Sequence, residues 1–317
     1  MLSRVAERLY WMARYVERVE NTARLLRVYN LVVLDLPRGS ELGWDVMLRI
    51  TATEPAFRAR NAEFDEAGIV AFLVTDSENS ASVLSSLRMV RENIRTTREV
   101  LPAEAWELIN ELYIYAASQA ERIAGRKQRY EFLGEVIAYC QQFTGLLQGT
   151  LSRDHAYAFT RVGRNLERAD MTTRILDVAA GALLTRVRSP LPFDALLWMS
   201  VLQSLSALHS YRLRVGPRVT GEGVTGYLLH DLGFPRSVRH CLEALRDALD
   251  GLPRAERAEV RLGALGARLG AADPAQLVER GLHEYVDKLQ LGLIDLHEAI
   301  ADTWFTLDAP GLPRPSA

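Results

Sequence analysis

The sequence predicts an all-α fold of two tandem-duplicated helical bundle repeats packed together. Three observations predict it. Apolar residues recur at alternating spacings of four and three over long stretches, the mark of a buried helical face. No segment alternates convincingly at the two-residue period of a strand. Blocks from the first part of the chain return in the same order in the second, and an internal repeat decides architecture before other arguments.

The strictest repeat is charged. Arg14-Tyr15-Val16-Glu17-Arg18-Val19-Glu20-Asn21-Thr22-Ala23-Arg24 returns as Arg164-Asn165-Leu166-Glu167-Arg168-Ala169-Asp170-Met171-Thr172-Thr173-Arg174. Leu2-Ser3-Arg4 returns as Leu151-Ser152-Arg153, Trp44 and Leu48 as Trp198 and Leu202, and Phe57-Arg58 as Tyr211-Arg212. Phe72 to Asp76 with Ser82-Val83 returns as Tyr227 to Asp231 with Ser237-Val238. The expected organisation is one repeat over 1–150, a second over 151–309, and a frayed Pro-rich tail over 310–317.

Each element has its own reason. In the first helix Val5, Leu9, Met12, Val16, Val19, Ala23 and Leu26 form the apolar seam. Val162, Leu166, Ala169, Leu176, Ala180 and Leu183 repeat it. Both helices run to roughly 30 residues, about 45 Å, and stop at Pro37 and Gly39 or at Pro190 and Pro192. Amphipathic spacing then predicts helices over Glu63 to Val74, Ser80 to Val100, Ala103 to Ile123 behind Pro102, and Arg129 to Leu147. The second copy follows with Phe193 to Arg212, Gly221 to Leu229, Pro235 to Leu249, Arg254 to Leu269 and Pro274 to Phe305. Asp154 is expected to cap the second long helix, and Asp76 and Asp231 the helices that follow them.

Beside each apolar seam runs a charged stripe: Arg14, Glu17, Arg18, Asn21 and Arg24, then Arg164, Glu167, Arg168, Met171 and Arg174. Glu20 and Asp170 each stand one turn before an arginine, a favourable order. Three readings are open. A solvated face would drift, yet the doublets and flanking arginines persist in both copies. A buried ion-pair network would fix how the copies dock, and stranding one of its charges would be costly. A site between the repeats would use Arg14, Asn21, Arg24, Arg164, Arg174 and Asp154 to hold substrate. Glu17, Arg18, Glu167 and Arg168 would be its catalytic groups, arginines clamping an anion and glutamates binding an amine or moving a proton. Asn21 faces Met171, so the two sites are not chemically identical, and the first is the favoured one. Glu17→Gln and Arg18→Met are expected to lose partner-dependent activity with a largely intact fold; unfolding of both would remove the catalytic reading.

Composition narrows the function classes. The chain has 317 residues, is 48% hydrophobic and carries a formal net charge of −2, so no bulk field recruits nucleic acid or an anionic membrane. Of its 38 basic residues only Lys127 and Lys288 are lysines. A GC-rich genome explains that bias, as does a need for planar pairing with carboxylates or phosphates. Cys140 and Cys241 form no metal or redox spacing and suit a reducing cytoplasm. Charges every few residues near the start argue against a secretory leader, and no apolar run is long enough to span a bilayer. No metal motif is present; His283, Asp287 and His297 share a helix flank and read as ordinary polar groups. Gly221-x-Gly223-x-x-Gly226 follows no strand, so it is not read as a nucleotide site. No cofactor is expected.

At the two Glu-Arg doublets the chain resembles the bacterial alpha-E domain proteins, an all-helical family marked by a Glu-Arg motif and typically duplicated. Met1 to Trp11 and Phe234-Pro235-Arg236-Ser237-Val238-Arg239 are similar to family sequence too. The resemblance implies a context: partners of circularly permuted ATP-grasp ligases and transglutaminase-like peptidases, in a system that makes or modifies peptides. It implies an accessory or substrate-handling role with a peptide substrate. The alternatives are a stand-alone transferase or amide-forming enzyme, and a purely structural scaffold.

Overall fold

The computed structural model describes residues 1–35, 43–60, 63–184 and 194–306. Among them every regular element is helical. The first half holds α1 (Ser3–Asp35), α2 (Asp45–Ile50), α3 (Glu54–Arg58), α4 (Glu66–Val74), α5 (Val83–Arg95), α6 (Ala103–Ser118) and α7 (Arg126–Thr150). The second holds α8 (His155–Leu184), α9 (Asp194–Ser204), α10 (Leu208–Arg214), α11 (Gly221–His230), α12 (Val238–Leu249), α13 (Glu256–Gly270), α14 (Pro274–Glu279) and α15 (Leu282–Trp304).

The long helices α1 and α8 lie against each other and form the spine of the molecule. α5 and α7 flank α1, with α6 between them; α12 and α15 flank α8, with α13 between them. One apolar cluster runs through both halves, from Leu9 and Leu26 to Leu166, Leu245 and Leu296. Because each spine helix is surrounded, much of its charged stripe is buried along with its apolar seam: Glu17, Glu20, Asn21 and Glu167 are inside the protein, while Arg18, Arg164, Arg168 and Arg174 are half-buried.

The spine helices come into close contact at Gly163. A Cβ there would come within 2.2 Å of the Tyr10 carbonyl oxygen, so only glycine permits this approach.

Repeated sequence builds repeated local structure. The Ser82 hydroxyl donates to the Asp76 carbonyl at 2.7 Å and caps α5 by accepting from the Ser85 amide at 3.1 Å. Ser237 does the same with the Asp231 carbonyl and, at 3.1 Å, the His240 amide. Ala52 and Ser206, at matching positions, both take a φ of 54°.

Several expected boundaries change. Asp76 and Asp231 do not cap the next helix; their carboxylates close the preceding turns, and the serines do the capping. The helix expected to end at Arg212 is two, α9 and α10, broken at Ser206. The equivalent break at Ala52 separates α2 from α3, a pair the apolar spacing did not reveal. The helix expected from Pro274 is broken at Gly281, whose φ of 90° cannot continue a right-handed helix. Asp154 caps α8 as expected, accepting from the Ala156 amide at 2.9 Å. The expected stops at Pro37, Gly39, Pro190 and Pro192, and the tail over 310–317, lie outside the described residues.

Candidate functional site

The two Glu-Arg doublets exchange partners across the spine. Arg18 Nε donates to Glu167 Oε1 at 2.6 Å and its Nη2 to Oε2 at 3.1 Å. In return Arg168 Nε donates to Glu17 Oε2 at 2.8 Å. No ion pair joins Glu17 to Arg18, or Glu167 to Arg168, among the described residues. Adjacent residues on a helix diverge by about 100°, so each doublet reaches the opposite helix instead.

Each glutamate holds a second arginine. Arg14 Nε donates to Glu167 Oε2 at 2.7 Å, and Arg236 Nη1 donates to Glu17 Oε1. All four carboxylate oxygens therefore accept from a guanidinium. The side chains of Glu17 and Glu167 are 1% and 2% exposed, so these charges interact in a low dielectric. Burial pushes the Glu167 carboxyl up, but Arg18 and Arg14 outweigh it and hold the group down at about 2.

Arg236 is the residue that sequence reasoning missed. It precedes the serine cap of α12, where the first half has Ala81, so the sequence repeat gave no hint of it. Its Nη1 also donates to Asn21 Oδ1 at 2.9 Å and its Nη2 to Glu20 Oε1 at 2.9 Å. The Thr172 hydroxyl donates to its carbonyl at 2.8 Å and fixes the backbone there. The available signal was its place in a family-like stretch, Phe234 to Arg239.

The remaining candidates divide. Arg24 joins the network by donating to Glu20 on its own helix. Burial raises the Glu20 carboxyl, but Arg236 and Arg24 hold it at about 2. Asn21 is engaged as above, and Met171, its counterpart, is buried among apolar groups. Arg174 stays at the edge, paired with Asp170 at 2.9 Å. Arg14 also donates to the Tyr10 hydroxyl at 3.2 Å, which lies 2.7 Å from His297 Nδ1. Burial and then the Arg14 charge lower the His297 pKa. Asp154 is not in the network; it borders an open cleft with Tyr157 and Arg161.

Arg164 is the odd member. It is the counterpart of Arg14, yet among the described residues it makes no ion pair, and its Nε is sealed from solvent without an acceptor there. Burial and the neighbouring Arg168 push its pKa down to about 10. It lines a small hollow beside Glu17.

Other groups can be placed too. Both cysteines are buried thiols, and burial pushes Cys241 up to about 12, which makes it a poor nucleophile. Asp177, His283 and Asp287 gather with their ligand atoms within 4.8 Å of one another on an exposed flank. Asp177 comes from α8, so spacing within the last helix could not reveal it. No described helix is long and apolar enough to cross a membrane.

The Alpha-E family, described as a predicted alpha-helical domain with a conserved ER motif, matches residues 1–305. The chain belongs to the Alpha-E family. It is 25% identical to an uncharacterised protein of Mycobacterium bovis and to uncharacterised proteins from two strains of Mycobacterium tuberculosis. Those alignments cover 98% of this chain but only 37% of each relative, so this chain spans little more than a third of their length. No solved structure matches the chain. The paired ER doublets of this Alpha-E chain are thus a mutual lock between its two longest helices.

Proposed function

We propose that this Alpha-E chain is an accessory, substrate-handling unit of a peptide synthesis or modification system. It acts in the cytoplasm beside an ATP-grasp-type carboxylate–amine ligase, with a transglutaminase-like peptidase in the same system. The observation that carries this reading is the saturation of Glu17 and Glu167. A general base needs a free oxygen and a pKa near the working pH; every oxygen here is held by arginine, and Glu167 sits at about 2. The length of the mycobacterial relatives supports it too. In them the matched region is one part of a longer chain, as suits a unit that works with others.

The structural-scaffold reading draws on the same lock. Against it stands Arg164, a mostly buried cation that a scaffold has no need to leave unpaired. The stand-alone enzyme reading would require Glu17 or Glu167 to give up its arginines during turnover.

The test is reconstitution. The chain is purified with an ATP-grasp-type ligase and a transglutaminase-like peptidase from its own host, and amide formation and ATP hydrolysis are followed with and without the chain. The expected result is amide formation only when ligase and chain are both present. Amide formation by the chain alone, or full ligase activity without it, would overturn the proposal.

A further inference from the structure

The network at the spine carries more positive charge than it neutralises. Six arginines, Arg14, Arg18, Arg24, Arg164, Arg168 and Arg236, meet three carboxylates, Glu17, Glu20 and Glu167. The Arg174–Asp170 pair at the edge is neutral and changes nothing. Buried charges are as a rule paired, because an isolated one loses its hydration without compensation. Five of the six arginines have an acid. Arg164 has none, and its Nε has no acceptor among the described residues.

Arg164 borders a hollow of about 20 Å³, with Glu17, Thr160, Gln148 and Tyr157 among its other walls. That is room for about one water. Tyr157 also walls an open cleft of about 750 Å³ on the outside, bordered by Arg153, His155 and Arg161 and by Asp154 and Asp247, the last paired with Arg161 at 3.7 Å. The Arg153 guanidinium stacks 4.0 Å from the Tyr157 ring centre. A half-buried cation without an acid among the described residues therefore lines a hollow that shares Tyr157 with a wide cleft edged by arginines and aspartates.

We propose that the two hollows together bind an elongated ligand that ends in a carboxylate. One carboxylate oxygen takes the water-sized space beside Arg164 and pairs with its Nε, and the ligand's body lies in the outer cleft. Size and charge favour carboxylate over phosphate. A planar group with two oxygens suits a guanidinium edge and a narrow space. Glu17 lines the same hollow and repels a dianion more than a monoanion. Combined with the proposed function, the natural ligand is the free C-terminus of a peptide; the site itself does not depend on that reading.

The experiment uses the isolated chain without any ligase, so its outcome is separable from the reconstitution. Short peptides with free and with amidated C-termini, and inorganic phosphate, are titrated calorimetrically into wild type, Arg164→Gln and Arg164→Lys. The free carboxylate is expected to bind wild type, with amidation or Arg164→Gln each weakening binding at least about tenfold, and Arg164→Lys retaining part of it. Thermal melts of ligand-free Arg164→Met give a second readout. Removing an unpaired buried charge should leave Tm unchanged or higher, the pattern of a group kept for binding. Equal binding of amidated peptide, binding of phosphate in place of carboxylate, or no saturable Arg164-dependent binding would each overturn the proposal. A clearly lowered Tm in Arg164→Met would also overturn it, by making Arg164 a structural group.

Discussion

Glu17 sits between Arg168 and Arg236, and Glu167 between Arg14 and Arg18, each inside the protein. Removing the Glu17 carboxylate leaves Arg168 without an acid among the described residues, while Arg236 keeps Glu20; removing Glu167 leaves both Arg14 and Arg18 without one. Glu17→Gln is therefore expected to cost about 3–5 kcal/mol in chemical denaturation, and the intact fold expected on the catalytic reading gives way to this. The pH dependence has a definite sign. Glu167 and Glu20 are held at about 2 from an ordinary value of 4.5. A depressed carboxyl pKa stabilises the fold above the unfolded value, and the contribution is lost as pH falls from about 4.5 towards 2. For Glu167 the shift amounts to on the order of 3 kcal/mol. Stability measured from pH 6 down to pH 2 should fall steeply in wild type and less steeply in Glu167→Gln. An unchanged acid limb in that variant would contradict the assignment.

At the scale of elements, the lock depends on how near α1 and α8 come. Gly163→Ala would drive a Cβ into the Tyr10 carbonyl, pushing the helices apart just where Arg14 and Glu167 meet. A loss of about 2 kcal/mol or more is expected, readable as a lowered denaturation midpoint; no loss would mean that the helices separate freely. Ser82→Ala and Ser237→Ala each remove an N-cap and should cost about 1 kcal/mol. The long helices were legible because their apolar spacing is regular. α2 and α3 were not, because helices of 6 and 5 residues are too short to show a period. The breaks at Ser206 and Gly281 were hidden because apolar residues continue on both sides, while the backbone turns left-handed at a single residue. At the site, the doublets announced themselves by repetition, and Arg236 did not because its counterpart is Ala81. Which arginine meets which glutamate depends on the rotation of α1 against α8, information that neither stripe contains alone.

For the whole molecule, one core and one set of cross-spine ion pairs unite the two halves. Each spine helix separated from the other would expose its buried charges and much of its apolar seam. The fragment 1–150 alone is expected to show no cooperative thermal transition, and mixing it with 151–317 to restore one. An independently cooperative fragment would make the spine contact a docking surface between self-sufficient domains. The exchange of partners is the claim on which the rest depends, and a pair of double-mutant cycles tests it most directly. Arg18→Met with Glu167→Gln, and Glu17→Gln with Arg168→Met, should each show a coupling of about 1–3 kcal/mol. The cycle within a doublet, Glu17→Gln with Arg18→Met, should show less than about 0.5 kcal/mol. Coupling within the doublets and none across the spine would contradict the account.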